Sequence, residues 1–543
     1  MVLLDISIVN VAIPSIQRNL NASYGQVQLV IALYSLAYAV VLITGGRLGD
    51  IYGRKRLFIL GMCGFTLASA ACGFAQSPEM LVGSRVVQGV MAALMYPQVL
   101  SVIQVTFPVR QRAGAFAALG AVIGLASITG PLLGGFIIQA NLFGLDWRPI
   151  FLVNLPVGIA SVTGALLLLK ETRSPDAPRL DIPGVVLVSV GLGMVIYPLI
   201  EGRDLGWPAW AFACMAAAVP LLVAFALYER RRTRAQNSPL VDTSLFQHRS
   251  FVAGLLVAIG MFAAIPAFFL TFSLTLQIGL GFTALAAGIA SFPFALGSML
   301  TSTASARLAP RLGRNILSLG AGVLVVGAIG VIATLRLAGT ALQGWQLAPA
   351  LLVCGLGLGL FIAPLVNIVL AAVPVRSAGS ASGIYTTVLQ FGNALGIALV
   401  GVVLFGFLAS NADRAAGDAA NATLNPQLQA LHLPAPAIAR FDAAFTTCFH
   451  DRANASDPTV TPASCTRAQQ QAPPTGNAPA TPSLVARLQA VFQQAGLEAL
   501  KRDFVASAQP AIGFSVAGWA LAFLLVPFLP RQMASRGGPA GAH

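Results

Sequence analysis

Long apolar segments alternate with short polar ones along most of this chain of 543 residues. A helix that crosses the hydrocarbon core of a bilayer needs roughly 20 apolar residues. The pattern therefore predicts fourteen membrane-spanning helices, and with them an all-α polytopic membrane protein. The approximate bounds of these helices are 1–18, 25–46, 57–76, 79–104, 113–139, 149–169, 183–201, 207–228, 250–276, 283–304, 315–335, 347–372, 382–408 and 510–529.

The composition agrees with this class of protein. A soluble domain carries about 25% charged residues, whereas this chain has 9% charged and 57% hydrophobic residues. Its formal net charge is +14. In a chain with so many spans, an excess of Lys and Arg indicates basic cytoplasmic loops rather than a nucleic-acid partner.

The basic residues follow the positive-inside rule, which places Lys and Arg in the cytoplasmic loops of membrane proteins. One set of alternate loops is rich in them, and includes Arg54, Lys55 and Arg56. The other short loops hold only Arg18, Arg148, Arg203 and Arg336. We therefore expect a multi-pass protein of a bacterial inner membrane with both termini cytoplasmic. The first span begins at Met1, so its inner half is short, which we interpret as a misplaced start codon.

The segment 409–509 is far longer than an ordinary connection between helices, and the alternation of loops places it outside the cell. Cys448 and Cys465 lie in this segment, where an oxidising compartment favours a disulfide, although two free thiols are the alternative. Apolar residues recur at helical spacing over 483–504. We expect an amphipathic helix there, either lying on the outer membrane surface, which we favour, or capping the substrate entrance.

This sequence contains no signature of a nucleotide-hydrolysing site, a metal centre or a hydrolytic active site. The phosphate-binding motif GxxxxGK[ST] is missing, and His, Cys and carboxylate residues form no cluster typical of a metal centre or a hydrolytic enzyme. We therefore predict no metal and no cofactor, and a secondary transporter driven by an ion gradient. A channel or a polytopic enzyme remains an alternative.

Ionisable residues inside spans are rare because burying one is costly unless it is paired or hydrated. The first span contains Asp5 and Asn10, and the carboxyl of Asp5 could bind a proton or a cationic substrate. The alternative is an acid that touches the lipid headgroups. In the fourth span Arg85 and Gln88 share a helix face, which favours interior pairing or proton transfer. The depths estimated for Asp5 and Arg85 differ, which argues against a direct pair.

The fifth span combines small residues with a proline. Ala126, Gly130 and Gly134 recur at intervals of four, so a neighbouring helix can approach closely. Pro131 removes a backbone hydrogen bond and bends the helix. A bent and tightly packed helix suits a gate, although such seams are common in membrane bundles.

Four stretches resemble successive signatures of the drug:proton antiporters of the major facilitator superfamily. They are LLDISIVNVAIP, GGRLGDIYGRKR at 45–56, the segment with Arg85, Gln88 and Gly89, and GLASITGPLLGG. Two more, WRPIFLVNLPVG and LTLQIGLGFTALAAGIASFP, resemble the fourteen-helix subfamily. The resemblance implies proton coupling or substrate recognition at Asp5, Arg85 and Gln88. It further implies a cytoplasmic latch of Gly46, Asp50, Gly53 and Arg54, and an antiporter seam of Gly130, Pro131, Gly134 and Gly135.

The resemblance also implies two six-helix bundles, spans 1–6 and 9–14, with two inserted helices. The corresponding segments are 1–170, 171–249 with the inserted helices and a linker, 250–408, the loop 409–509, and 510–543. In the second half, ARLAPRLGRN has Pro310 where an acid is expected, so we expect the first copy alone to form the latch. Spans 9–14 have no obvious buried carboxylate. The expected pathway-lining residues are Asn10, Tyr34, Tyr96, Gln98, Asn367, Gln390 and Asn393. For the last three, hydrogen bonds to neighbouring helices are an equal alternative.

The predicted function is export of lipophilic or cationic drugs by a monomer that exchanges them for protons by alternating access. A mostly apolar lining suits amphipathic compounds better than sugars. An exporter dedicated to one metabolite or to an antibiotic made by the same cell is the main alternative. A proton-coupled importer or a sensor that transports nothing fits less well.

Overall fold

A computed structural model describes residues 1–22, 24–141, 144–173, 180–202, 205–235, 240–241, 243–371, 373, 378–431, 433–453, 462–470 and 482–529, except for some side chains inside helices. The side chains of Asn10 and Pro131, two residues of the predicted site, lie outside this description. So do Arg203 and the C-terminal residues 530–543.

Helices make up the regular structure, and the described residues contain no β-strand. The N-terminal half forms α1 (Val2–Leu20), α2 (Tyr24–Tyr52), α3 (Arg54–Gly73), α4 (Pro78–Thr106), α5 (Val109–Ala140), α6 (Pro149–Leu152) and α7 (Asn154–Leu168). Two helices follow, α8 (Ile182–Glu201) and α9 (Ala209–Arg234). The C-terminal half forms α10 (Arg249–Leu274), α11 (Ala284–Leu312), α12 (Asn315–Ala338), α13 (Ala348–Ala371), α14 (Ala378–Ala419), α15 (Asn425–Ala430), α16 (Ala435–Ala453), α17 (Ala463–Gln470) and α18 (Pro482–Leu525).

Twelve helices in the described part of the chain are long and apolar enough to cross a membrane. The helices α1 and α5 are not among these twelve, and both contain side chains outside the description. The predicted all-α polytopic fold is therefore confirmed, while the count of fourteen spans stays a prediction. Large apolar side chains on the outer faces are exposed, as lipid contact requires, for example Leu168 at 82% and Leu337 at 90%.

Small residues bring the helices of each half together. A Cβ on Gly45 of α2 would strike the carbonyl oxygen of Ala93 on α4, and one on Gly89 of α4 would strike the carbonyl oxygen of Tyr34. Membrane helices gain little from the hydrophobic effect against each other, so close backbone packing must stabilise them instead. The same device recurs in the second half, where Gly355 of α13 packs on the backbone of Phe294 of α11.

The two halves meet along α2 and α14, and along α5 with α11 and α13. The inserted pair α8 and α9 lies outside this interface but touches both halves, because α8 packs against α2 and α14. Ile196 of α8 shares a small buried cluster with Ala39 of α2 and Ala394 of α14. The inserted pair is thus in contact with both halves through α8.

Two helices are much longer than a membrane is thick. The helix α14 has 42 residues and α18 has 44, which at about 1.5 Å per residue is more than ~60 Å, against a hydrocarbon core of about 30 Å. With α15, α16 and α17 they form what we call the cap, the described part of residues 409–509. The cap has its own apolar core, in which the rings of Phe445 and Phe492 lie 5.2 Å apart.

Residues 483–504 are helical as predicted, but their predicted location on the membrane surface is wrong. This segment is the first half of α18, continuous with the last span. Its apolar residues Val491, Phe492 and Ala495 are buried in the cap core. The long connection supplies α15–α17 as partners, so the apolar face is covered by protein instead of lipid. A disulfide joins Cys448 of α16 to Cys465 of α17.

Candidate functional site

The Asp5 carboxylate lies buried in the first half, with no exposed surface. Its Oδ2 forms an ion pair with Nη1 of Arg85 on α4. Its Oδ1 accepts hydrogen bonds from Nε2 of Gln88 at 3.0 Å and from Nδ2 of Asn154 at 3.1 Å. Three helices, α1, α4 and α7, therefore meet on one carboxylate. Hydrogen bonds that involve a charged partner are the stronger kind, so this cluster joins the three helices firmly at one point.

Arg85 is equally well surrounded and only 1% exposed. Its Nη1 also donates to Oε1 of Gln88 at 2.8 Å, and its Nε donates to the carbonyl oxygen of Val30 at 3.2 Å. The guanidinium carbon lies 3.8 Å from the centre of the Tyr34 ring, a geometry that favours cation–π attraction. Gln88 thus binds both charged partners, as donor to one and acceptor from the other.

The expectation that Asp5 and Arg85 do not pair directly is wrong. It compared the depths of two backbone positions, counted from the ends of predicted helices. A long arginine side chain carries its guanidinium well away from its Cα, and the tilt of packed helices shifts their relative depth. The cluster that results contains one acid and one base, and is therefore neutral overall.

Sequence reasoning missed two members of the cluster, Asn154 and Ser69. Nδ2 of Asn154 contacts Oγ of Ser69 at 3.0 Å, and that hydroxyl donates to the carbonyl oxygen of Phe151 at 3.0 Å. Asn154 lies in the quoted stretch WRPIFLVNLPVG, where an amide inside an apolar span was the available signal. Ser69 carries no such signal, because serine is common in membrane helices.

A buried ion pair is easily unbalanced, because each charge depends on the other for compensation. Proton binding to the Asp5 carboxylate would cancel its charge and leave Arg85 with neutral partners only. The net charge of the cluster would rise from zero to plus one. The same change would follow if a cationic molecule displaced Arg85 from the carboxylate. The arrangement can therefore couple the position of Arg85 to a proton or a cation.

A second polar cluster lies at the far end of α2, about 30 Å from Val30 by helix rise. Nη2 of Arg54 bonds Oδ1 of Asp50 at 2.5 Å, and both side chains are buried. Oδ2 of Asp50 accepts the backbone N–H of Ser380 at 3.1 Å. Ser380 lies in the first turn of α14, where the N–H groups and the helix dipole attract an anion. From here on, the latch means Asp50, Arg54 and Ser380, which includes two of the four residues predicted for it. The latch end is this end of the molecule.

The turn before α3 explains the glycine in this motif. Gly53 adopts φ +106°, a backbone conformation that residues with a Cβ rarely take, and a Cβ there would strike the carboxylate of Glu171. That carboxylate accepts the N–H groups of Lys55 and Arg56, each at 3.2 Å, and so caps the start of α3. The N–H of Arg54 donates to the carbonyl oxygen of Thr172 at 2.9 Å.

Further contacts join the two halves near the latch. Oγ of Ser101 on α4 donates to Oγ of Ser382 on α14 at 3.0 Å. Nε2 of Gln104 donates to the carbonyl oxygen of Leu370 on α13 at 2.7 Å. These hydrogen bonds are buried and bridge the interface between the halves. The molecule is therefore closed at the latch end.

The other predicted site residues are dispersed. Gln98 bonds the carbonyl oxygens of Gly45 and Leu94, so it serves helix packing. Gln390 and Asn393 bond each other at 3.0 Å. The remaining predicted residues lie at buried or half-buried positions, and they are Gly46, Tyr96, Gly130, Gly134, Gly135 and Asn367. Tyr34, one of the predicted lining residues, contacts Arg85 directly through its ring.

The loop ARLAPRLGRN at 306–315, in the second half, has a different role from the charged loop at 45–56 in the first half. Nη1 of Arg314 donates to the carbonyl oxygens of Pro527 and Leu529, just beyond α18. Pro310 lies inside α11, near its end. This loop therefore anchors the end of the last span and contributes no described contact between the two halves at the latch.

Comparisons with known proteins point in one direction. A family model described as Major Facilitator Superfamily matches residues 1–397. The probable actinorhodin transporter of Streptomyces coelicolor is 39% identical over 98% of this chain and 90% of its own length. The puromycin resistance protein pur8 of Streptomyces alboniger is 36% identical over 76% of this chain and 80% of its own.

A solved structure has the same fold at lower similarity. The human organic anion transporter MFSD10 is 17% identical, with a TM-score of 0.51 over 74% of this chain and 91% of its own. The alignment with the actinorhodin transporter leaves almost none of this chain outside, so it takes in most of the cap.

Proposed function

Because the chain belongs to the major facilitator superfamily, we propose that it is a proton-driven antiporter that exports antibiotic-like lipophilic compounds. It would act as a monomer in a bacterial cell membrane, with no cofactor and no enzymatic activity. The names of the relatives support the class of cargo, since they describe a probable actinorhodin transporter and a puromycin resistance protein.

The observation that carries the proposal is the buried pair of Asp5 and Arg85, together with a latch closed about 30 Å away on the same helix bundle. A transporter that exchanges a proton for a drug needs a group that binds either one and a gate that responds. Asp5 meets the first requirement, because a proton or a cation on its carboxylate competes with Arg85 for it. The latch meets the second.

The cycle we propose starts from the closed latch end. A proton from outside binds Asp5 and releases Arg85 from its counter-ion. The released side chain retains Gln88 and the Val30 carbonyl as partners, and its movement shifts α4 against α2. The latch then separates, the proton leaves to the cytoplasm, and cargo enters in its place. Closure of the latch returns the cargo to the outer side.

We propose that the latch end faces the cytoplasm and the cap faces outside. The dense basic residues of the sequence lie in the loops at the latch end, as the positive-inside rule requires of cytoplasmic loops. The disulfide between Cys448 and Cys465 lies in the cap, and disulfides persist in oxidising compartments.

Inverted membrane vesicles test the proposal. With an imposed proton gradient, acidic inside, we expect vesicles carrying the protein to accumulate ethidium or puromycin. Asp5→Asn should abolish this accumulation, because an amide cannot release a proton. The matched control is Asp418→Asn, an exposed acid of the cap, which should transport normally. Equal accumulation with Asp5→Asn and with the unchanged protein would refute the antiporter.

An exporter dedicated to one compound is the second candidate. It is favoured by the alignment with the actinorhodin transporter, which spans nearly the whole chain and includes most of the cap. A panel of unrelated lipophilic compounds in the same vesicles separates the two candidates. A dedicated exporter should move one structural class only, whereas a multidrug exporter should move several.

A further inference from the structure

Two carboxylates meet at the latch end of the inserted helices. Asp181 precedes the first turn of α8, and Glu229 lies near the end of α9. Asp181 is 2% exposed and Glu229 is fully buried. Neither residue belongs to the Asp5 cluster or to the latch, and the transport cycle described above uses neither.

The hydrogen bonds of this pair leave one oxygen of each acid without a donor. Oδ1 of Asp181 accepts the N–H of Gly184 at 3.2 Å and the hydroxyl of Tyr228 at 3.0 Å. Oε2 of Glu229 accepts the N–H of Val241 at 3.0 Å. Within the described structure, Oδ2 of Asp181 and Oε1 of Glu229 are buried and accept no hydrogen bond.

These two oxygens lie side by side. A Cβ placed on Gly184 would lie 2.5 Å from Oε1 of Glu229 and 2.7 Å from Oδ2 of Asp181, so both oxygens border the same small space. The described cation that faces the pair is Arg232, whose Nε lies 3.4 Å from Oδ2 of Asp181. Two buried carboxylates that face a single cation repel each other when both are ionised.

A single shared proton resolves this conflict. It would sit on Oε1 of Glu229 and donate to Oδ2 of Asp181, satisfying both oxygens and leaving one negative charge opposite Arg232. We propose that Asp181 and Glu229 form a second proton-binding site of the transporter and that this site controls the latch. The proposal rests on the proposed function for its orientation, because the proton would exchange with the cytoplasm.

The connection to the latch runs through two linker residues. Val241 is held by Glu229 through its N–H. The carbonyl oxygen of the preceding residue, Leu240, accepts the hydroxyl of Ser380 at 3.4 Å. The N–H of the same Ser380 donates to Asp50 of the latch. Glu229 and Asp50 are therefore joined by an unbroken series of hydrogen bonds and covalent bonds.

Loss of the shared proton should weaken the hydrogen bonds that connect Glu229 to Asp50. The proton passes to cytoplasmic water, and two anions then face one arginine. Their repulsion separates the start of α8 from α9 and draws Val241 and Leu240 away from Ser380. The latch loses a support and opens more readily. On the latch itself, Arg54 and the buried Arg47 are the charged groups that face Asp50.

A cross-link at the latch end tests the proposal. Ser101→Cys with Ser382→Cys places two thiols where the hydroxyls now lie 3.0 Å apart, so an oxidant should join them only when this end is closed. The joined peptides are quantified by mass spectrometry in protein reconstituted at pH values from 5 to 9. We expect the cross-linked fraction to fall several-fold as the pH rises, because the shared proton is lost.

Glu229→Gln is the decisive variant. Its amide oxygen can accept the N–H of Val241 and its amide N–H can donate to Asp181, so it imitates the protonated state permanently. We expect a cross-linked fraction that stays high at every pH. Glu229→Ala removes the hold on Val241 and should give a low fraction at every pH. Asp418→Asn in the cap is the control and should keep the dependence of the unchanged protein.

The outcomes are distinguishable from those of the transport experiment, because cross-linking needs neither a substrate nor a gradient. The proposal is overturned if Glu229→Gln keeps the pH dependence of the unchanged protein, or if the cross-linked fraction does not vary with pH. A misfolded variant would show as a loss of the monodisperse peak in size-exclusion chromatography. In that case Asp181→Asn, which keeps an acceptor for Tyr228, answers the same question.

Discussion

The carboxylate of Asp50 accepts the backbone N–H of Ser380 at 3.1 Å, and this hydrogen bond joins α2 of one bundle to the start of α14 in the other. Arg54 compensates the buried charge from the side of α2. The Asp50 carboxylate is therefore attached to its own bundle by covalent bonds and by the ion pair with Arg54. It is attached to the other bundle by the hydrogen bond from the start of α14. Separation of the bundles would break the second attachment and leave the first intact, as the proposed gate requires.

Replacing Asp50 by Asn should weaken the closed latch. An anion at a partly buried helix N-terminus contributes up to about 2 kcal/mol, which corresponds to a roughly 30-fold change in the ratio of closed to open molecules. We expect a lower cross-linked fraction for the Ser101→Cys, Ser382→Cys pair at any pH. Glu79→Gln, an exposed acid at the start of α4, is the control and should change this fraction less than twofold. An unchanged fraction with Asp50→Asn would contradict the latch.

Asp5 and Arg85 should show strong energetic coupling in stability. Arg85→Gln leaves Asp5 without a cation and should lower the free energy of unfolding by about 3–5 kcal/mol. The double variant Asp5→Asn, Arg85→Gln removes both charges and should lose much less than the sum of the single losses. Thermal or denaturant unfolding of the purified protein in detergent measures all four members of this cycle. Additive losses would mean that the pair contributes nothing.

Gly45 should be intolerant of even a methyl group. Gly45→Ala would press its Cβ onto the carbonyl oxygen of Ala93 and force α2 and α4 apart, at a cost of about 1–3 kcal/mol. Gly83→Ala on α4 is the matched control, because no described atom lies within 4 Å of a Cβ placed there. That substitution should stabilise the helix by up to about 1 kcal/mol. Melting temperatures of the two variants should therefore move in opposite directions.

The disulfide should stabilise the cap and leave the membrane region unaffected. Cys448 and Cys465 are 17 residues apart in sequence, and closing a loop of this size contributes about 3 kcal/mol. Replacing both by Ser should speed hydrogen exchange of the amides in α16 and α17. Amides of α2 and α4 should exchange as before, since the cap has a core of its own. Cys214→Ser, a free cysteine of α9, is the control. Unaltered exchange in α16 would show that the core alone holds the cap.

The sequence predicted those features that depend on neighbouring residues. Span positions follow from local hydropathy along the chain. The order of the motifs was enough to indicate the family, which the comparisons confirmed. The roles of Asp5, Arg85 and the latch residues stay predictions, although the structure brings Asp5, Arg85 and Gln88 together.

Contacts between segments that are distant in sequence could not be predicted from neighbouring residues. Asn154 joins Asp5 across 149 positions, and Ser380 joins Asp50 across 330. Whether such side chains meet depends on helix tilt, rotation and the reach of each side chain, and none of these is encoded within a single span. The long connection shows the same limit, since its apolar helix faces a protein core that exists only after α14, α16 and α18 have packed.

The sequence by itself therefore determined that this protein is a polytopic member of its superfamily. The hydropathy of each span and the residues of each motif depend only on residues that are neighbours in the chain. Only the tertiary structure decided which charged groups meet: Asp5 with Arg85, Asp50 with Arg54 and the α14 terminus, and Asp181 beside Glu229. The reason is physical. A buried charge must find its partner in three dimensions, and the packing of helices selects which of the available partners lies within reach.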